Sequence, residues 1–224
     1  MGNLYYNELI QTEEYEIKRK FHKNRGYFAL KRTVDIFGSL FGISLLSPVL
    51  VATAIAVKLD SKGPSIFAQE RVGQGGKTFK MYKFRSMVVD AESKLNNLKD
   101  KNEMDGPMFK MTFDPRVTRI GRLIRKTSID ELPQLFNVLA GDMSLVGPRP
   151  NLPEEVAKFD DYSRQKLIAK PGITCYWQVM GRSNVGFKEW MELDHKYIED
   201  RSFWLDIKLI LKTFKVLFGD KNAK

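Results

Sequence analysis

One cysteine and two histidines in 224 residues exclude an internal disulfide and a zinc site of the usual Cys/His type. Cys175 reads instead as a small apolar residue for a core, in a reducing, cytosol-facing compartment. Internal repeats and low-complexity tracts are lacking, which excludes solenoid and array architectures. The length holds one good-sized core, or a small core with an appended membrane element, but hardly two full domains. Acidic side chains are the scarcer sign, 27 against 37 basic ones, for a net charge of +10. Such an excess calls for an anionic partner: nucleic acid, an acidic membrane surface or a phosphorylated substrate.

The long hydrophobic run decides among these. From Ile36 to Val57, 22 consecutive residues carry no charge, about 33 Å of helix against a hydrocarbon core of roughly 30 Å. The run begins too far from Met1, and lacks the small-residue cleavage site, for a signal peptide. Near its centre stands Ser47-Pro48. Proline supplies no N–H to the carbonyl of Ser44 and collides with that turn, so a bend or break is expected, with the Ser44 and Ser47 hydroxyls available to the freed backbone. Two arms, 36–47 and 48–57, each about 15–18 Å long, suit a helix-break-helix that enters and leaves one leaflet. Basic residues lie on both sides, Lys18 to Arg32 before the run and Lys58, Lys62, Arg71 and Lys77 after it, so both ends read as cytoplasmic. A kinked helix crossing the whole bilayer is the competing geometry, and a buried core helix of a soluble protein is the bland one.

Around this segment the chain divides into a leader at 1–27, the membrane helix at 28–60 and a cytoplasmic catalytic domain at 61–224. Between Ser65 and Met87 the pattern is strand, turn, strand, with Gly73-Gln74-Gly75-Gly76 at the turn. No helix opens after these glycines, so they are not a dinucleotide-binding fingerprint. Lys83 and Arg85, two residues apart on a strand, would share a face and form a small anion-binding pair. Residues 90–103 are charged and helical in composition, and Asp105-Gly106-Pro107 should be a loop. At the C-terminal end, Phe203 to Phe218 is apolar with Lys208, Lys212 and Lys215 on one stripe. That fits a helix lying in the headgroup plane, and equally one packed on the core.

The densest chemical signal runs from Arg122 to Pro150. Ser128-Ile129-Asp130-Glu131 matches a capping box, with Ser128 as cap and Glu131 reaching back; in another register Asp130 is the cap. Either places Asp130 at a helix mouth, where the dipole favours its ionised form. Two adjacent acids repel unless a cation intervenes, which makes Glu131 a candidate ligand for Mg²⁺ shared with substrate phosphates. Arg122, Arg125 and Lys126 lie upstream, and Arg149 is held between Pro148 and Pro150 with little entropy to lose. Acid pair, metal and arginines together describe phosphoryl transfer, with Asp130 as covalent nucleophile. A merely capped, salt-bridged helix is the competing reading.

At these residues the chain resembles the bacterial sugar transferase family, the monotopic phosphoglycosyl transferases. The resemblance covers about residues 28–219. It rests on Lys31-Arg32, Ser47-Pro48, Lys83-Phe84-Arg85-Ser86-Met87, Asp114-Pro115-Arg116, Asp130-Glu131-Leu132-Pro133-Gln134-Leu135, Gly141 to Pro150 and Lys170-Pro171-Gly172-Ile173-Thr174. It implies Asp130 as nucleophile, Glu131 as Mg²⁺ ligand, Arg125 and Arg149 as phosphate-binding groups, Asp206 as an acid near the site, and a re-entrant helix broken at Ser47-Pro48. It further implies transfer of a sugar 1-phosphate from a UDP-sugar to undecaprenyl phosphate with release of UMP, the first step of exopolysaccharide, capsule or O-antigen synthesis. The stretch Trp177-Gln178-Val179 to Gly181-Arg182-Ser183, followed by Glu192-Leu193-Asp194, leans toward galactose or glucose rather than an N-acetylated sugar. Cys175-Tyr176 departs from the glycine and large residue frequent in relatives, and only a short leader precedes the core where many hexose-type relatives carry further membrane helices and a soluble domain.

The expected fold is thus α+β and mostly helical: a re-entrant membrane helix, a small β-hairpin and amphipathic interfacial helices around a compact catalytic core. The expected location is the cytoplasmic face of the bacterial inner membrane, with an anionic membrane as partner, a homodimer as a candidate assembly and no nucleic acid. A basic nucleic-acid-binding protein would account for the charge but not for the hydrophobic run. A non-catalytic membrane scaffold would account for the run but leaves Asp130 and Arg149 idle.

Overall fold

A computed structural model describes residues 25–103, 105–180 and 185–219, without side-chain placement for 99 and 216–219. The leader up to residue 24 and Gly181-Arg182-Ser183, on which the sugar preference leaned, lie outside the described residues. The fold is mixed α/β and mostly helical, with one long apolar helix near its start.

That helix, α1 (Arg25–Asp60), continues through Pro48 as one element. The carbonyl of Ser44, which proline deprives of its donor, accepts instead from the Ser47 hydroxyl at 2.8 Å. The helix is long and apolar enough to cross a membrane, and its most apolar window is 11% buried. A core helix of a soluble protein would be mostly enclosed. Phe37, Phe41, Leu45, Val51, Ile55 and Leu59 instead face outward.

The two arms of α1 on either side of Pro48, taken over its whole length as 25–47 and 48–60, are both fastened to the rest of the chain. On the first, Arg32 donates to the carbonyls of Val138 and Leu139 at 2.6 and 2.8 Å, closing the C-terminal end of α4 (Gln134–Ala140). Asp35 accepts from the Ser144 hydroxyl and the Leu145 N–H. On the second, Val57, Leu50 and Ala54 pack with Phe84, Ile120 and Ile124, and Asp60 accepts from the Ile120 N–H at the start of α3 (Arg119–Lys126).

The expected strand-turn-strand corresponds to β1 (Ile66–Val72) and β2 (Thr78–Phe84), antiparallel, with Phe67 opposite Lys83 and Arg71 opposite Phe79. Beyond it lie a short α2 (Ala91–Leu95) and, after α4, a parallel pair of β3 (Ser144–Val146) with β4 (Gly172–Thr174). The backbones at Gly147 and Gly172 approach so closely that a Cβ on either would stand within 2.3 Å of the other segment. Short helices α5 (Pro153–Val156) and α6 (Asp161–Arg164) precede β4. Three more follow it: α7 (Tyr176–Met180), α8 (Phe187–Asp200) and α9 (Phe203–Gly219).

The buried Asn137 side chain joins α4 to the hairpin: its amide donates to Lys80 O at 2.7 Å and its carbonyl accepts from Tyr82 N at 2.9 Å. Behind it Met81, Val138 and Met143 form a small core. This contact sets β2 and the chain entering α4 side by side, and the candidate site lies where they meet. On α9, Leu209 is buried while Trp204, Lys208, Leu211, Lys212, Phe214 and Lys215 are exposed. One face therefore packs on the core and the other presents the mixed apolar and basic surface read from the sequence.

Candidate active site

A capping box does not form at Ser128. That residue is left-handed (φ 55°), its side chain caps nothing, and Ile129–Glu131 is a single 3₁₀ turn. The cap of this region is Thr118, whose hydroxyl accepts from Gly121 N at the start of α3. Glu131 does not reach back to Ser128 because stronger partners claim it. Lys83 Nζ donates to its Oε1 at 2.8 Å, and Arg149 Nη1 approaches the same oxygen at 3.4 Å. A charge-assisted bond outweighs a neutral cap.

Asp130 is 8% exposed and lines a cavity of about 510 Å³ together with Glu131, Lys83, Arg125 and Arg149. Five of the residues expected to carry chemistry are thereby brought together from β2, the end of α3, the 3₁₀ turn and the segment after β3. Arg122 and Lys126, also considered, are exposed on α3 and do not line the cavity.

The two acids are held in different states. Burial first, and Glu131 second, raise the Asp130 carboxyl to about 6 against the pull of Lys83, Arg125 and Arg149. No helix dipole lowers this carboxyl as expected, since a single 3₁₀ turn supplies little dipole and burial dominates; at about 6 the group is still mostly ionised at neutral pH. Burial also disfavours the Glu131 charge, yet Lys83 and Arg149 outweigh it and hold that carboxyl near 2. Burial lowers the Lys83 ammonium, opposed chiefly by Glu131.

Two expected members lie elsewhere. The strand ends at Phe84, and Arg85 turns from the cavity to donate to Ser61 O at 2.6 Å and, at 3.4 Å, to Val57 O. It closes the C-terminal end of α1, where carbonyls lack helical partners, so the proposed Lys83–Arg85 anion pair does not exist. Asp206 is likewise outside the cavity. It accepts from Tyr27, Lys31 and Tyr197 at 2.8–2.9 Å and ties the start of α1 to α9.

Arg71 is the cation that sequence reasoning missed as a site residue. It lies on the same face of the hairpin as Lys83, lines the cavity, and is lowered by burial and by Arg149 to about 10, so it is charged at neutral pH. Strand alternation combined with the hairpin register would have found it. Trp177 was also missed as a partner of Arg149, whose guanidinium carbon stands 5.6 Å from its ring centroid. The segment bearing Arg149 is pinned from behind: Lys166 reaches Asn151 at 2.9 Å and Asp194 at 2.6 Å, and Asn151 donates to Glu155.

The donor set fits a divalent cation of the magnesium type, which takes hard oxygens from one or two carboxylates and completes its shell from phosphate and water. Asp130 and Glu131 supply such oxygens at a cavity wall. Among the described residues no group of three or more His, Cys, Asp or Glu could hold a metal ion, so the arrangement suits an open site and not an all-protein cage.

Residues 26–220 match the family described as bacterial sugar transferase. The chain is 48% identical over 220 residues to galactosyl transferase CpsE of Streptococcus agalactiae, covering 96% of this chain and 49% of that protein. It is 45% identical over 201 residues to undecaprenyl-phosphate galactose phosphotransferase of Salmonella typhimurium, covering 87% and 41%. With a UDP-N-acetylgalactosamine-undecaprenyl-phosphate N-acetylgalactosaminephosphotransferase of Aeromonas hydrophila it shares 41% over 204 residues, covering 88% and 46%. The chain thus spans about half the length of these relatives. A match across nearly all of its own length makes it a member of the bacterial sugar transferase family.

Proposed function

We propose that this protein transfers a sugar 1-phosphate from a UDP-sugar to undecaprenyl phosphate, with Asp130 as covalent nucleophile. The observation that carries this reading is a buried carboxylate beside a second acid, in a cavity where Lys83, Arg71, Arg125 and Arg149 converge. In the first displacement a carboxylate oxygen of Asp130 attacks the β-phosphorus, the bond from that phosphorus to the bridging oxygen breaks, and UMP leaves. The product is an acyl phosphate carrying the sugar. In the second, a phosphate oxygen of the lipid attacks the same phosphorus and the Asp130 carboxylate is released.

The protein's part is to position the reactants and neutralise charge. With its carboxyl at about 6, Asp130 is about ten to one ionised at pH 7 and needs no base. Arg125 and Arg149 bind phosphate oxygens, with Arg71 lining the same cavity, and Lys83 holds Glu131 anionic. Glu131 would hold Mg²⁺ with phosphate oxygens, and the ion would supply neutralisation of the leaving phosphate.

The acceptor is a lipid, so the membrane reading belongs to the same proposal. α1 enters and leaves one leaflet, bending at Ser47-Pro48, with 61–224 on the cytoplasmic face. In support, both arms of α1 are bonded to one body while its outward side is apolar. Galactose or glucose is the preferred sugar; an N-acetylated sugar is the second reading, favoured by the name of the Aeromonas relative. Purified protein with Mg²⁺ and undecaprenyl phosphate, supplied with UDP-galactose, UDP-glucose and UDP-N-acetylgalactosamine in turn, tests this. UMP release with one of the hexose donors is expected. Release with none of the three would overturn the function, and release only with the last would overturn the sugar preference.

A further inference from the structure

Among the described residues a second cavity, of about 450 Å³, shares no lining residue with the one at Asp130. Among the described residues five cations line it, Arg25, Lys31, Arg32, Lys170 and Arg201, against one acid, Asp35. Asp35 is occupied by the Ser144 hydroxyl at 2.9 Å and the Leu145 N–H at 2.8 Å. Lys31 is matched by Asp206 at 2.8 Å. Arg32 donates to Val138 O and Leu139 O, and Lys170 donates to Gly141 O at 2.7 Å. These carbonyls belong to the C-terminal end of α4, and they orient the two cations without cancelling their unit charges. The crowding is felt: burial, and next Arg32, lower the Lys170 ammonium.

Such a cavity offers guanidinium and ammonium donors, the complement of a phosphate group. Its position narrows the source. Arg25 to Asp35 precede the uncharged run 36–57 within the same helix, so where α1 enters lipid the cavity stands at headgroup depth. Aromatic walls from Tyr27, Phe28 and Tyr197 suit that boundary.

We propose that this cavity binds a phosphate-bearing anion, with the phosphodiester headgroup of an anionic lipid as the source that its position favours, at a site separate from the one holding Asp130. Occupation would tie the start of α1 to the loop before β4 and fix the depth of the helix.

Thermal unfolding of the whole chain in a neutral detergent tests this, with added phosphatidylglycerol, phosphatidylcholine or inorganic phosphate as probes. Phosphatidylglycerol should raise Tm where phosphatidylcholine does not, and Arg25→Gln/Lys170→Gln should lose that rise. Lys208→Gln/Lys212→Gln, on the exposed face of α9, should keep it. Arg25→Gln alone, at an exposed position, should weaken the rise should the double variant fold poorly. A rise with inorganic phosphate that the double variant loses, and phosphatidylglycerol does not reproduce, keeps the site but makes free phosphate its ligand. No rise with either probe, or one that all variants keep, overturns the proposal. Equal loss in the α9 variant also overturns it, because general attraction of a basic surface then suffices.

Discussion

Lys83 Nζ donates to Glu131 Oε1 at 2.8 Å, and among the described residues this ion pair is made by Glu131 and not by its neighbour Asp130. One acid is thereby fixed as an anion while the other is held near its titration point, a division of roles suited to a ligand beside a nucleophile.

Lys83→Gln should uncouple that division. Glu131 would lose its nearest cation, and UMP release should fall by about 10²–10³-fold, the usual loss when a charge-stabilising group leaves such a site. Both partners are partly solvated, so unfolding should become easier by only about 1 kcal/mol. Turnover and Tm measured on one preparation separate the two effects.

The Asp130 carboxyl at about 6 predicts an acid limb in kcat/KM. A nucleophile acts only as the carboxylate, so a raised value means activity present above about 6 and lost tenfold per unit as pH falls below it. Raising Mg²⁺ should move the limb to lower pH, because a cation favours the charged form. An acid limb near 4 that ignores Mg²⁺ would contradict this assignment.

Chelation with EDTA should abolish UMP release and Mg²⁺ should restore it, whereas Glu131→Gln should respond weakly to Mg²⁺ at any concentration. Equal Mg²⁺ dependence in this variant and the parent would remove Glu131 as a ligand.

Arg85 and Asn137 should affect stability and not substrate binding. Arg85→Gln leaves carbonyls at the end of α1 without their donor, and Asn137→Ala strands Lys80 O and Tyr82 N. Each should cost about 1–3 kcal/mol, read as a lower Tm, with KM for the UDP-sugar unchanged in the surviving folded enzyme.

Which features could be read from residue order follows from how local their causes are. The hydrophobic run, the Ser47 hydroxyl's service to Ser44 and the hairpin at Gly73 depend on near neighbours, and the Lys31-Arg32 and Asp130-Glu131 motifs carried the family. Ser128 and Arg85 misled for one reason: a side chain's partner is chosen in three dimensions. The capping box lost Glu131 to cations 48 and 18 residues away, and Arg85 was drawn to α1 across a turn that strand alternation does not foresee. Asp206 went to a network with Tyr27 and Lys31, near the start of the same chain. Arg71 could be recognised as a site cation only once the hairpin register set it on the face of Lys83.

The most direct test of the central claim is the intact mass of the protein after incubation with Mg²⁺ and the UDP-sugar that supports turnover, without lipid acceptor. The account predicts a gain of one sugar phosphate, located on the peptide containing Asp130, absent from Asp130→Asn and discharged on addition of undecaprenyl phosphate. Undiminished turnover in Asp130→Asn, or an adduct on any other residue, would contradict it.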